Sequence, residues 1–261
     1  MALTRRIVPT RFGQMHLRSE GRGGRALLLL HPSPRSAAIW EPLQSRLQRT
    51  SVAPDRLGYG CSDAPPWALT IEQYAQGTID ALAAAGIDGP LDLFGVGVGA
   101  VEAVEIAHRL GDRASRVAVG AVPMFSAEEL ERQMEKYSEQ PLKPTLEGGH
   151  LLGAWRAGFA FRAPPYDLSI LHRRFVDLVL AANPGAALRA AAAYPLAKRL
   201  RALRVPITVF AMRDELFEQT TRVRDLLGPA DSYVELSDLG FDALELAADR
   251  VAALLAEHLV G

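Results

Sequence analysis

The sequence predicts an α/β fold: a mostly parallel central sheet flanked by helices, with a helical cap inserted before one of the last strands. Three observations lead there. Short apolar runs alternate with stretches of helical periodicity, the pattern of a parallel sheet covered by helices. The chain has 261 residues, 49% of them hydrophobic, enough for one large core. From residue 124 to residue 204 the alternation stops, and helical patterns follow one another with no convincing strand.

The elements can be justified in order. Ile7-Val8 and Met15-His16-Leu17 flank the turn residues Phe12-Gly13-Gln14 and read as a hairpin. Ala26 to Leu30 is a continuous apolar run, as in a strand buried on both faces, and leads into His31-Pro32-Ser33-Pro34. Ser51 to Asp55 reads as a second such strand, followed by the glycine-rich loop Arg56 to Asp63. Thr70 with Gln73 three residues on forms a capping box for a helix that stops near Gly86. Leu91 to Phe94 is a strand, and Gly95-Val96-Gly97-Val98-Gly99 turns into a helix ending near Gly111. Arg116–Val122, Pro206–Ala211 and Tyr233–Leu236 supply further strands. Asp242, with Glu245 three residues on, is expected to open a final helix carrying Leu246, Val251, Leu254, Leu255 and Leu259. The core is thus expected to span 1–123 and 205–261, with 124–204 as a helical cap forming one structural unit with it.

Composition excludes several classes. The net charge is -1 and no basic stripe stands out, so nucleic acid is not expected as a partner. Cys61 is the only cysteine, which forbids an internal disulfide. Arg5 and Arg6 are not followed by an apolar segment of signal-peptide type, and no apolar run is long enough to span a bilayer; a cytoplasmic location without a membrane partner is therefore expected. No His, Cys and Asp spacing suggests a metal. His108 and His258 sit late in helices, where a cation complements the helix dipole.

The motif order resembles the α/β-hydrolase superfamily over nearly the whole chain, closest to its epoxide-hydrolase-like and meta-cleavage-product-hydrolase-like branch. His31-Pro32-Ser33-Pro34 is similar to the H-G-x-P oxyanion loop. Asp55 to Asp63 resembles the following D-x-x-G-x-G-x-S loop. Gly95 to Gly99 takes the place of the nucleophile elbow, Asp214 follows the strand that delivers the acid, and Asp238-Leu239-Gly240-Phe241 sits where the family reads G-H. The resemblance implies a cap roofing an active site. It also implies that Gly97 holds the nucleophile position and Phe241 the histidine position, while Asp214 is retained. A serine attacks only when a base takes its proton, and the acid only orients that base. Neither Gly97 nor Phe241 can play its part.

A cofactor-independent enzyme of small-molecule, natural-product-like metabolism is expected, one that performs a non-hydrolytic step such as cyclisation, rearrangement, carbon–carbon bond formation or elimination. Asp214, the amides of Ser33 and Val98, and His31 are the expected catalytic groups, although the loop histidine reads more readily as structural. Gly97, Phe241, Pro34, Trp155, His150 and Tyr166 are expected to contact the substrate, and no cofactor or metal is expected. A non-catalytic receptor or carrier, and a hydrolase with its nucleophile relocated to Ser33 or the cap, are the rival readings. Gly95 to Ala100 also fits the dinucleotide fingerprint G-x-G-x-x-A, but no acidic residue ends the next strand. A homodimer is compatible with the sequence.

Overall fold

The computed structural model describes residues 3–137, 142–159, 166–240 and 242–259. In chain order the core opens with β1 (Thr4–Thr10), β2 (Gly13–Glu20), β3 (Ala26–Leu30), the single turn α1 (Glu41–Gln44), β4 (Ser51–Pro54), α2 (Ile71–Ala84), β5 (Leu91–Val96), α3 (Val98–Leu110) and β6 (Ala114–Gly120). Five helices follow: α4 (Ala127–Lys136), α5 (Gly149–Ala157), α6 (Leu168–Leu180), α7 (Ala186–Ala193) and α8 (Leu196–Arg201). The core resumes with β7 (Ile207–Arg213), α9 (Phe217–Thr221), β8 (Ser232–Gly240), α10 (Ala243–Leu246) and α11 (Ala248–His258).

The eight strands form one sheet in the order β1-β2-β4-β3-β5-β6-β7-β8. β1 and β2 pair antiparallel, β2 pairs antiparallel with β4, and the remaining pairs are parallel. Burial on both faces explains the unbroken leucine run of β3. Leu28 and Leu30 face Val101, Val104 and Tyr74 of the helices on one side, while Leu27 and Leu29 face Trp40, Phe94 and α11 on the other. Trp40 tilts against Phe94 at 5.4 Å between ring centroids, and Phe94 meets Phe210 edge to face at 6.3 Å.

The carboxyl ends of the central parallel strands converge on one edge of the sheet, and the helices between β6 and β7 cover that edge. Open α/β sheets place ligands there. The last helical region departs from the sequence expectation. Asp242 is left-handed (φ 63°) and makes no side-chain cap, so the chain forms one turn, α10, before α11 begins. The carboxylates of Asp242 and Glu245 turn instead to arginines, Arg174 at 2.8 Å and Arg35 at 3.1 Å.

Candidate active site

β5 ends in a tight turn at Gly97, where α3 starts. Gly97 has φ 61° and ψ −122° and donates its amide to the Gly120 carbonyl at 3.0 Å. A residue with a side chain held at such positive φ typically costs about 1–3 kcal/mol. Close packing fixes a neighbouring glycine. A Cβ on Gly99 would lie 2.1 Å from the Leu30 carbonyl oxygen, so α3 could not lie against β3 with any larger residue there. A Cβ on Gly97 would point at the Pro32 ring, 3.1 Å from its Cβ. The elbow therefore keeps its backbone shape, and the proline of the oxyanion loop stands so close that a side chain at 97 would make it give by a few tenths of an ångström.

Above this turn lies a cavity of about 790 Å³. Pro32, Ser33, Pro34, Val96, Gly97 and Val98 line it from the core, and Ala154, Ala157, Leu171, Phe175, Leu178 and Leu188 from the cap. The amides of Ser33 and Val98 sit on loop and helix start respectively. Neither donates to a backbone carbonyl in the described loop and turn bonds, and Val98 is a first helical residue with no intrahelical partner for its N–H.

Asp214 follows β7 and lines the same cavity. Its Oδ1 accepts the Leu216 amide at 2.9 Å. Burial pushes its carboxyl up to about 7; the Leu216 hydrogen bond opposes the rise and the charge of Glu215 adds to it. A carboxyl poised there exchanges protons readily near neutrality. Tyr137, from the end of α4, also reaches the cavity, and burial with the Glu215 charge keeps its phenol protonated.

Arg35 was not expected from the sequence. It is 3% exposed. Its Nε donates to Asp177 of α6 at 2.8 Å, and its other nitrogens donate to Glu245 of α10 at 3.1 and 3.2 Å. Ser36 donates to the other Asp177 oxygen at 2.6 Å. Burial disfavours the Arg35 charge, but Glu245 and Asp177 outweigh it and hold the guanidinium above its ordinary range. One buried cation thus ties the Ser33 loop to the cap and to the segment after β8. A sequence signal existed: Asp177 is the only acid within the apolar helix LSILHRRFVDLVL.

The structure redistributes the expected site residues. Asp214, Ser33, Val98, Gly97 and Pro34 meet at the cavity. His31 does not: it is buried, its Nε2 accepts the Arg56 amide at 2.9 Å, and its Nδ1 faces the Pro32 carbonyl at 2.9 Å. Burial, with Arg56 beside it, drives its ring down to about 3, so it stays neutral and structural. The three cap residues are also displaced from the lining. Trp155 packs edge to face on Phe159 and Phe175, and Tyr166 packs on Phe159. His150 accepts the Thr145 amide at 3.1 Å. The small side of α5, Ala154, Ala157 and Gly158, faces the cavity instead. Phe241 lies outside the described residues; its neighbours Gly240 and Asp242 line the cavity. Ser33 Oγ donates to the Pro184 carbonyl at 3.5 Å and lies within hydrogen-bond reach of the Tyr59 hydroxyl, and no histidine lines the cavity among the described residues.

Asp55 anchors the adjoining loop. Burial raises its carboxyl, but hydrogen bonds from His16, Cys61 and Ala37 together hold it below the ordinary range. His16, Asp55 and Cys61 bring ligand atoms within 4.8 Å of one another, yet the Asp55 oxygens already accept these three donors.

A model of the alpha/beta hydrolase family matches residues 27–254. The chain belongs to that family. No curated protein sequence matches it. Among solved structures, this alpha/beta hydrolase is similar to an enol-lactonase from Burkholderia xenovorans, with 21% identity and a TM-score of 0.75 over 95% of this chain and 96% of that one. It is also similar to a thermophilic esterase from Thermogutta terrifontis, with 20% identity and a TM-score of 0.74 over 99% and 98% of the two chains. A carboxylesterase from Bacillus subtilis gives 20% identity and 0.74 over 100% and 93%. These likenesses are of fold.

Proposed function

We propose that this alpha/beta hydrolase is a cofactor-independent enzyme of small-molecule metabolism that carries out a non-hydrolytic step on a mostly apolar carbonyl compound. The pairing of Gly97 with Pro32 carries the reading: the elbow offers no nucleophile, and the proline crowds the place where one would stand. What remains is a mostly apolar cavity beneath the cap, two amides beside the elbow and a carboxyl that titrates near neutrality. The Ser33 and Val98 amides would stabilise charge developing on the carbonyl oxygen, and one such donor typically contributes about 2.7–4 kcal/mol. Asp214 as carboxylate would take the proton from the carbon next to that carbonyl and return it elsewhere on the substrate, so the reaction balances without a reagent. A cytoplasmic setting and natural-product substrates fit this reading.

The test joins labelling to turnover. Small molecules released by denaturing the purified protein are identified by mass spectrometry and returned to fresh enzyme in deuterated water. Deuterium entering next to the carbonyl, or at the carbon that receives the returned proton, is expected in wild type and not in Asp214→Asn. Labelling by a fluorophosphonate, or ester turnover that survives in Asp214→Asn, would refute it; tight binding without exchange would make the protein a receptor.

A further inference from the structure

We infer that the end of α4 is a second polar subsite of the cavity, where Tyr137 and Gln133 hold a neutral oxygen group of the substrate, a hydroxyl or a second carbonyl. The inference rests on the reading of the cavity as the site of a mostly apolar carbonyl compound and adds a second handle to that compound. Most polar side chains of the lining are already matched. Arg35 is paired with Asp177 and Glu245, Arg174 with Asp242, and Ser33 Oγ with the Pro184 carbonyl. Gln133, Tyr137, Lys143 and Glu215 differ: they line the cavity, and among the described residues their side chains make no hydrogen bond or ion pair.

The sequence places two of these together. Gln133 and Tyr137 are four residues apart, so their side chains share one face of the helix end, and the Tyr137 amide donates to the Gln133 carbonyl at 2.9 Å. α4 is held at both ends. Near its start Glu129 accepts from Gln219 and Arg222, which follow β7. At its end Arg189 of α7 donates to the carbonyls of Met134 and Tyr137 at 3.2 and 3.3 Å, groups that a helix terminus leaves without an internal partner. The Gln133 and Tyr137 side chains are half-buried. A ligand that fills the cavity takes away the water they meet. A hydroxyl or amide cut off from water without a replacement partner opposes binding. A purely apolar ligand would strand both groups, whereas one with an oxygen at that end would not.

The charges select a neutral group. Burial, with the Glu215 charge added, keeps the Tyr137 phenol protonated, so it donates. The Gln133 amide can donate or accept, which suits a hydroxyl that accepts from Tyr137. An anionic end would meet Glu215 and a cationic end Lys143, both exposed on the same lining.

The experiment titrates the full chain with methyl ketones bearing heptyl, nonyl and undecyl chains, each plain and with a terminal hydroxyl. Displacement of the neutral fluorophore N-phenylnaphthylamine reads affinity, and the length series allows one chain to span from the elbow to α4. At the best length wild type is expected to bind the hydroxylated ketone at least as tightly as the plain one, although the hydroxyl loses water on entry. Tyr137→Phe should weaken the hydroxylated ketone by roughly fivefold, the worth of one hydrogen bond, and leave the plain ketone unchanged or tighter. Gln133→Leu should act in the same sense. Preference of wild type for the plain ketone at every length overturns the inference, as does binding of neither. Equal weakening of both ketones by Tyr137→Phe overturns it in favour of a merely structural tyrosine, and tighter binding of a terminal carboxylate or ammonium analogue in favour of a charged ligand. The titration is blind to turnover. Deuterium exchange without hydroxyl preference sinks the subsite alone, and hydroxyl preference without exchange sinks the non-hydrolytic reaction alone.

Discussion

A Cβ placed on Gly97 stands 3.1 Å from the Cβ of Pro32, and the two residues account for each other. A side chain at 97 would press on the proline ring, which would have to give by a few tenths of an ångström. Gly97→Ser is therefore expected to meet two costs, the positive φ and the ring, and to lower stability by about 1–3 kcal/mol without gaining a reactive serine. Pairing it with Pro32→Gly should recover part of that stability, since the ring is gone. Urea unfolding of both variants measures the difference. Equal stability of the single and double variants would show that Pro32 does not crowd the turn.

Asp214 gives a pH prediction with a definite sign. Its folded value, about 7, lies above the ordinary aspartate value of about 3.9. As pH rises from about 4 to about 7, the unfolded chain ionises this group before the folded chain does, so the stability it contributes in acid is lost across that window. Asp214→Asn removes the effect and keeps an oxygen for the Leu216 amide. The variant should melt above wild type at pH 8, with the gap closing toward pH 4. The proposed base activity runs the other way, rising through pH 7 as the carboxylate forms. A melting difference independent of pH would mean that burial does not perturb the group.

The sheet was legible because β3, β5 and β7 are buried on both faces and show as apolar runs with glycine or proline at their ends. β8 was legible only in its first half. Beyond Leu236 it carries Ser237 and Asp238, both exposed, so hydrophobicity stops marking a strand that hydrogen bonds continue to Gly240. The floor of the site could be read as well, because a backbone turn needs residue types that the sequence displays: Gly97, Ser33 and Pro34. The cap could not. Its aromatics looked like a roof, but facing is set by helix rotation, and on α5 Ala154 and Ala157 point inward while Trp155 turns to α6. Arg35 was hidden for another reason: its partners, Asp177 and Glu245, lie far off in sequence.

That cluster makes the third prediction. Arg35→Met strands Asp177 and Glu245 in a buried site, and removing one partner of a buried pair typically costs about 3–5 kcal/mol. Arg35→Met with Asp177→Asn and Glu245→Gln removes the stranded charges together and should be more stable than Arg35→Met alone. Denaturant unfolding decides it. A triple variant weaker than the single one would mean that Ser36 and Arg173 still satisfy the two carboxylates, so that losing Arg35 does not strand them.

The cap supplies the last prediction. Phe175 touches both the cavity and Trp155, whereas Trp155 contacts Phe175 and Phe159 and stays off the lining. Each edge-to-face contact contributes about 0.5–1.5 kcal/mol beyond simple burial. Trp155→Ala should therefore lower the melting temperature through two lost contacts and leave the cavity walls nearly unchanged. Phe175→Ala loses one of those contacts but opens the cavity directly, so it should change which ligand sizes bind. Measuring both variants by thermal melting and by titration with a fluorescent apolar probe separates the roles. If Trp155→Ala alters probe affinity more than Phe175→Ala does, the tryptophan is part of the site after all, and the cap must rotate when a ligand enters.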